Sequence, residues 1–214
     1  MELLAKKIAA AIGRNLQKTD EEVAVIAYGL IGILQFLAIL IISLTIGIIF
    51  GMWAEVLIIF FSVGFLRRLT GGAHSRGIYN CLVYSVCFVC GFSAIAAYVL
   101  PRLPLYYVIL PACFAIYLFG YITIAYKAPV TPPNKPCRTE AKRKRLRRGA
   151  FTVLSVFLAI NVLLLLLGEA HARILSIGLS LALSVLWQIF MMTKAGHLFI
   201  YVIDGAFLHK NDKA

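Results

Sequence analysis

Acidic residues are scarce in this chain. Its 214 residues include 9 Asp and Glu against 21 Lys and Arg, and only 14% are charged. Soluble domains carry about 25% charged residues and about 45–50% apolar ones. Here 62% of the residues are hydrophobic and the mean hydropathy is +0.91. A soluble fold must set a polar surface against its core, and too few polar residues are present to make one, which excludes a water-soluble globular protein. A disulfide framework is missing as well. The cysteines number 5, with Cys81, Cys87, Cys90 and Cys113 in or beside apolar segments and Cys137 in a basic stretch, and that pattern offers no set of pairs. Residues 1–20 are charged and mixed, without a short apolar core before a small-residue cleavage site, so no cleavable signal peptide is expected. The sequence shows neither an internal repeat nor a low-complexity stretch.

Long apolar runs are what the chain does have. Backbone amides in lipid must bond internally, so spanning elements are helices or closed barrels, and continuous apolar runs favour helices over the alternating pattern of barrel strands. The expected fold is an all-α integral membrane protein, one polytopic domain over 1–214. Six spans are expected, at 23–50, 52–66, 78–100, 105–126, 150–168 and 172–193. A crossing takes about 20 residues; the first span exceeds that, and the second falls short of it. In this arrangement every one of the 21 basic residues except Arg102 and Arg173 falls on one side. The positive-inside rule then puts both termini in the cytoplasm. Leu3, Leu4, Lys7, Ile8, Ala11, Ile12 and Leu16 recur at helical spacing, which predicts an amphipathic interfacial helix within 1–20. Thr19 with Glu22 three residues on predicts a capping box at the start of the first span. The tail after Lys194 is mixed in polarity and receives no assignment.

Chemistry concentrates in one polar break, residues 67–81, read Arg67-Arg68-Leu69-Thr70-Gly71-Gly72-Ala73-His74-Ser75-Arg76-Gly77-Ile78-Tyr79-Asn80-Cys81. A thiol and an imidazole in one loop can form a nucleophile and its base. On a continuous helix, residues seven apart share a face but lie about 10 Å apart along the axis, whereas a base must come within roughly 3 Å of its partner. The segment must therefore break if His74 and Cys81 cooperate, and Gly71, Gly72 and Gly77 permit that. Cys81 would sit in the first turn of the third span, where unpaired amides and the helix dipole stabilise a thiolate. Arg67, Arg68 and Arg76 add positive charge. The same amides suit an oxyanion, and Asn80 either holds the imidazole or donates to that oxyanion. With two potential ligands and no further His or Cys nearby, a metal site is not expected, and no cofactor is implied.

The 67–74 run followed by Cys81 resembles the signature of the accessory gene regulator protein B (AgrB) family. Tyr126-Lys127-Ala128-Pro129-Val130-Thr131-Pro132-Pro133-Asn134-Lys135-Pro136, with the basic run to Arg148, resembles that family's Ala-Pro loop, Lys-Pro pair and polybasic tract; Tyr28-Gly29 is a weaker echo. The resemblance implies a bacterial membrane cysteine endopeptidase of the cell membrane that processes quorum-sensing propeptides, with its catalytic loop on the cytoplasmic side. By matching positions, it implies Cys81 as nucleophile, His74 as base, and Arg67 and Gly72 as residues that shape the site. The implied partner is an AgrD-like propeptide with an amphipathic leader, a core containing Cys or Ser, and an acidic tail, closed into a thiolactone or lactone. A homodimer is also implied.

The net charge of +12 has two readings. Arg68, Arg76 and the run Lys142, Arg143, Lys144 and Arg145 would attract an acidic tail, or the basic loop 127–148 would meet anionic lipid. Nucleic acid fits poorly, because the run is tethered at the bilayer without interleaved aromatics. Cys87 and Cys90 have a redox spacing but lie in a span and read as packing. Glu55 is either functional or reaches the interface. Gln35, Asn161, Gln188 and Glu169 are candidates for interhelical hydrogen bonds. The rival class is a non-enzymatic six-span transporter or peptide-export subunit, disfavoured because paired broken helices in two matching halves are absent.

Overall fold

The computed structural model describes residues 1–73, 77–102, 106–130, 139–168 and 171–211. Every element among them is helical. They run α1 (Glu2–Asn15), α2 (Asp20–Ile49), α3 (Trp53–Thr70), α4 (Ile78–Ala94), α5 (Tyr106–Lys127), α6 (Glu140–Gly168), α7 (Ala172–Met191) and α8 (Lys194–Asn211). A wider helical turn, Ile95–Val99, and a tighter one, Leu100–Arg102, prolong α4.

Five of these helices are long and apolar enough to cross a membrane: α2, α4 with its extension, α5 from Val108, α6 and α7. The chain is a multi-pass membrane protein. The expected short second span is α3, whose 18 residues carry Glu55 in the first turn and Arg67 and Arg68 in the last. Its ends lie at opposite ends of the bundle. At one end the amide of Val130, just beyond α5, donates to the Thr70 carbonyl at 2.7 Å, and the amide of Ala73 donates to Met191 at the end of α7 at 3.0 Å. At the other end Glu55 accepts a bond from Ser176, in the first turns of α7, at 2.7 Å. So α3 runs the length of the bundle as its neighbours do. Its start falls at the gap between the first two expected spans: α2 stops at Ile49, Gly51 has φ +69°, and α3 begins at Trp53.

The buried axis is α7. Ser176, Gly178, Ser180, Ala182 and Ser184 are all buried along it. Lipid is as apolar as leucine, so helices associate in it through close packing and polar links, and small residues bring backbones together. Leu66, Tyr117, Leu154, Val185 and Ile189 join α3, α5, α6 and α7 in one cluster. By contrast α2 is apolar on all sides, with Val25, Ile33, Ile41 and Ile48 exposed, which lipid tolerates and water would not.

Helix α1 uses a different face from the apolar stripe. Ala5, Ala9 and Gly13 are buried, and the Gly13 backbone lies against Val23 of α2. Leu3, Leu4, Ile8 and Leu16 stay exposed, as an interfacial helix requires. The capping box is formed: the Thr19 hydroxyl accepts from the Glu22 amide at 3.4 Å and the Glu22 carboxylate accepts from the Thr19 amide at 3.1 Å.

Three expectations about polar residues meet definite outcomes. Gln35 donates to the Ile78 carbonyl at 3.3 Å, Asn161 donates to the Gly178 carbonyl, and Gln188 donates to Thr70 Oγ1 at 2.8 Å, each joining two helices. Glu169 lies outside the described residues. Glu55 does not reach an interface. It is fully buried, bonded to Ser176 and 3.6 Å from Arg173. Finally, α6 begins at Glu140 rather than near 150, because Lys and Arg are good helix formers and hydropathy alone does not register that.

Candidate active site

The break between α3 and α4 is built from backbone contacts that only glycine allows. Gly71 has φ +71° and pairs with Val130 in a parallel bridge, where a Cβ would overlap the Val130 carbonyl oxygen. Gly72 has φ +141° and lies against the Met191 carbonyl. L-residues with side chains rarely take such angles. Gln188 closes the corner, donating to the Gly71 carbonyl at 2.7 Å as well as to Thr70. Residues 74–76, among them His74 and Arg76, lie outside the described residues. The residue before His74 is held firmly. Ala73 is buried, its amide bonds Met191, and its carbonyl accepts from the Arg67 guanidinium. His74 and Cys81 are therefore not on one unbroken rod, since α3 ends at Thr70 and α4 starts at Ile78.

Cys81 is half-buried in the first turn of α4, and its amide already bonds the Gly77 carbonyl at 3.0 Å. The helix's unpaired amides are thus those of Ile78, Tyr79 and Asn80 rather than its own. A helical Cβ leans toward the helix N-terminus, which tilts the thiol toward them. The Cys81 thiol donates to the Tyr84 hydroxyl one turn on at 3.5 Å. Arg67, Gln35, Cys81 and Tyr84 all line one cavity of about 250 Å³.

Asn80 folds over Gly77, whose missing side chain leaves it room, and donates through Nδ2 to the carboxylate of Asp204 on α8 at 3.4 Å. Asp204 is buried. Sequence reasoning missed it, because it stands in the tail that hydropathy left unassigned, 124 residues from its partner. Tyr84 and Gln188 were also unmarked as neighbours of the site; a tyrosine one turn beyond the cysteine was the available signal for the first.

The other basic residues stand elsewhere. Arg68 is exposed in the last turn of α3. Lys142, Arg143, Lys144 and Arg145 are exposed in the first two turns of α6, so the tract is helical and its four cations point to all sides of the helix. Arg147 in the same stretch turns inward to the Ala128 carbonyl at 3.1 Å. Cys87 is exposed and Cys90 half-buried, and both are free thiols.

Residues 5–192 match the family model described as Accessory gene regulator B, AgrB. This chain belongs to the AgrB family. It is 30% identical over 211 residues to an AgrB-like protein of Clostridium perfringens strain SM101, covering 96% of this chain and 97% of that one. It is also 30% identical over 213 residues to AgrB-like protein 2 of C. perfringens strain 13, again covering 96% and 97%. An AgrB-like protein of Halalkalibacterium halodurans is 28% identical over 164 residues, 77% of this chain and 78% of that one. No solved structure matches the chain. Membership assigns it a role in the accessory gene regulator quorum-sensing system. The matched span ends at Thr193's neighbour, residue 192, so α8 and Asp204 lie beyond it.

Proposed function

We propose that this AgrB-family protein is a membrane cysteine endopeptidase that cuts the acidic tail from an AgrD-like propeptide and helps close the remaining core into a thiolactone or lactone. The carrying observation is that Cys81 stands half-buried at a helix N-terminus, on the wall of a cavity that also holds Arg67.

The reaction takes His74 as the base, the role that the family resemblance implies. His74 takes the Cys81 proton, and the thiolate attacks the carbonyl carbon at the end of the core. The free amides at the start of α4 stabilise the oxyanion. The carbon–nitrogen bond breaks, His74 returns the proton to the leaving amine, and the tail departs, leaving the core as a thioester on Cys81. The core's own thiol or hydroxyl then gives its proton to His74 and attacks that thioester, closing the ring and releasing the Cys81 thiolate. Exchange of one thioester for another is nearly neutral, so ring closure needs no nucleotide. Amide-to-thioester conversion is uphill, and loss of the tail draws it forward. Apolar walls around the thioester limit its hydrolysis.

Arg67 holds the Ala73 carbonyl and so fixes the stem of chain that precedes His74 in the sequence. Gly72 lets that stem pass against α7. The concentration of basic residues at the Cys81 end supports a cytoplasmic site. The exposed basic start of α6 suits both the acidic tail and anionic headgroups. Co-expression with such a propeptide tests the reading. Cys81→Ala is expected to leave the propeptide uncut while the protein still inserts, and unchanged processing would overturn the assignment. A transport function would tolerate the substitution.

A further inference from the structure

The cavity beside Cys81 extends well past the reacting groups. Phe60, Gly64 and Arg67 of α3 line it at four- and three-residue spacing, as do Cys81 and Phe88 of α4 at seven. Seven residues of helix rise about 10 Å, so the cavity descends by that much from the thiol toward the bilayer interior. Its polar groups, Cys81, Arg67, Tyr84, Gln35 and Ser85, gather at the thiol end; the deeper wall is Phe36, Phe60, Val63, Phe88 and Trp187. The deep wall is stiff. Phe88 stacks on Trp187 with centroids 4.1 Å apart and planes 13° apart, and Phe36 meets Phe60 at 4.7 Å.

Two glycines keep the space open. Gly32 of α2 and Gly64 of α3 both line the cavity, and a Cβ built on either meets nothing within 4 Å. The volume of about 250 Å³ falls just under the roughly 300–1,000 Å³ of sites for drug-sized ligands. It takes one or two side chains rather than a folded peptide.

Resting on the endopeptidase reading, we propose that this cavity is the subsite for a bulky apolar side chain of the residue whose carbonyl Cys81 attacks, with Gly64 setting its capacity. A lipid acyl chain is the other apolar occupant to consider, but it makes no use of the polar rim. A peptide does, since its backbone must lie at the thiol while its side chain points inward. The subsite selects by size because filling or failing to fill a rigid apolar pocket changes the transition-state energy.

The test uses the full chain in phosphatidylethanolamine–phosphatidylglycerol vesicles and two thiol-reactive probes, acetyl-Phe and acetyl-Ala fluoromethyl ketones. Alkylation of Cys81 is followed by mass spectrometry, and each rate is divided by that of iodoacetamide, which has no side chain to seat. The wild-type protein is expected to favour the Phe probe by about tenfold or more. Gly64→Leu, which occupies the cavity, is expected to abolish or reverse that ratio, and Trp187→Ala, which removes a wall, to weaken it. An even ratio in the wild-type protein, as a lipid-filled cavity would give, overturns the proposal; so does a ratio that neither variant moves. Iodoacetamide alone separates this from the parent reading. If it labels Cys81 no faster than Cys87, the activated nucleophile is in doubt, while the Phe-to-Ala ratio still reports on the pocket.

Discussion

The two ends of the helix bundle solve the problem of polar groups in opposite ways. At the end formed by the α2–α3 turn and the start of α7, the polar groups mostly pair with one another, although one oxygen of the Glu55 carboxylate is buried without a hydrogen bond. Glu55, fully buried, accepts from Ser176 at 2.7 Å and faces Arg173 at 3.6 Å, and Arg173 donates to the Gly51 carbonyl at 3.0 Å. Tyr98 donates to the Phe50 carbonyl. This end is a fastener. At the other end, glycine-rich backbone, Gln188 and Arg67 build a rigid corner, and the same guanidinium, with the bonded Cys81 thiol and Tyr84 hydroxyl, also lines a cavity. Polar groups are costly in a membrane unless they are paired or line a cavity, so the end that keeps an open cavity is the one equipped to do work.

Substitutions at each end should separate these roles. The largest effect is expected from Cys81→Ala, which should remove propeptide processing altogether without lowering the denaturation midpoint in mild detergent. Loss of processing together with loss of insertion would blur the contrast between the ends. Next comes Asn80→Asp, which sets a carboxylate against Asp204. Processing should fall by about tenfold or more, a like-charge contact in a poorly solvated place costing well over 1 kcal/mol. Asp204→Asn in the same protein restores a donor–acceptor pair and should recover most of the rate; a double variant no better than Asn80→Asp would dissociate α8 from the site.

At the fastening end, Ser176→Ala removes a hydrogen bond to a buried carboxylate. It should lower stability by about 1.5–3 kcal/mol, read from the unfolding midpoint, while processing per folded molecule stays the same. If the rate falls instead, the two ends are coupled. The smallest effect is expected when Lys142, Arg143, Lys144 and Arg145 all become Gln. Processing at low substrate should drop a few-fold and lose part of its salt dependence, with the rate at saturation unchanged, because exposed charges steer encounter more than they bind.

Much of the fold was legible in the residues. Apolar runs and the Gly71–Gly72 pair locate the helices and the break before α4, since hydropathy and glycine act locally. The capping box at Thr19 was readable for the same reason. What escaped needed a second element. Neither the face on which α1 packs nor the length of α6 follows from its apolar stripe. The role of Glu55 depends on Ser176, 121 residues away. In the candidate site, the motif marked Cys81, His74 and Arg67, but Asp204 carries no motif and is joined to the site by the fold, through its bond with Asn80.

Composition and the order of apolar and basic residues determined by themselves that this chain lives in a membrane, how its helices follow one another, and where the chain breaks between α3 and α4. Those properties sum over neighbours along the chain. Tertiary structure alone decided which buried polar groups are locked together, that α8 reaches back to the start of α4, and that a cavity floored by aromatic rings opens beside Cys81. Pairing and empty space arise between helices, and no stretch of a single helix encodes them.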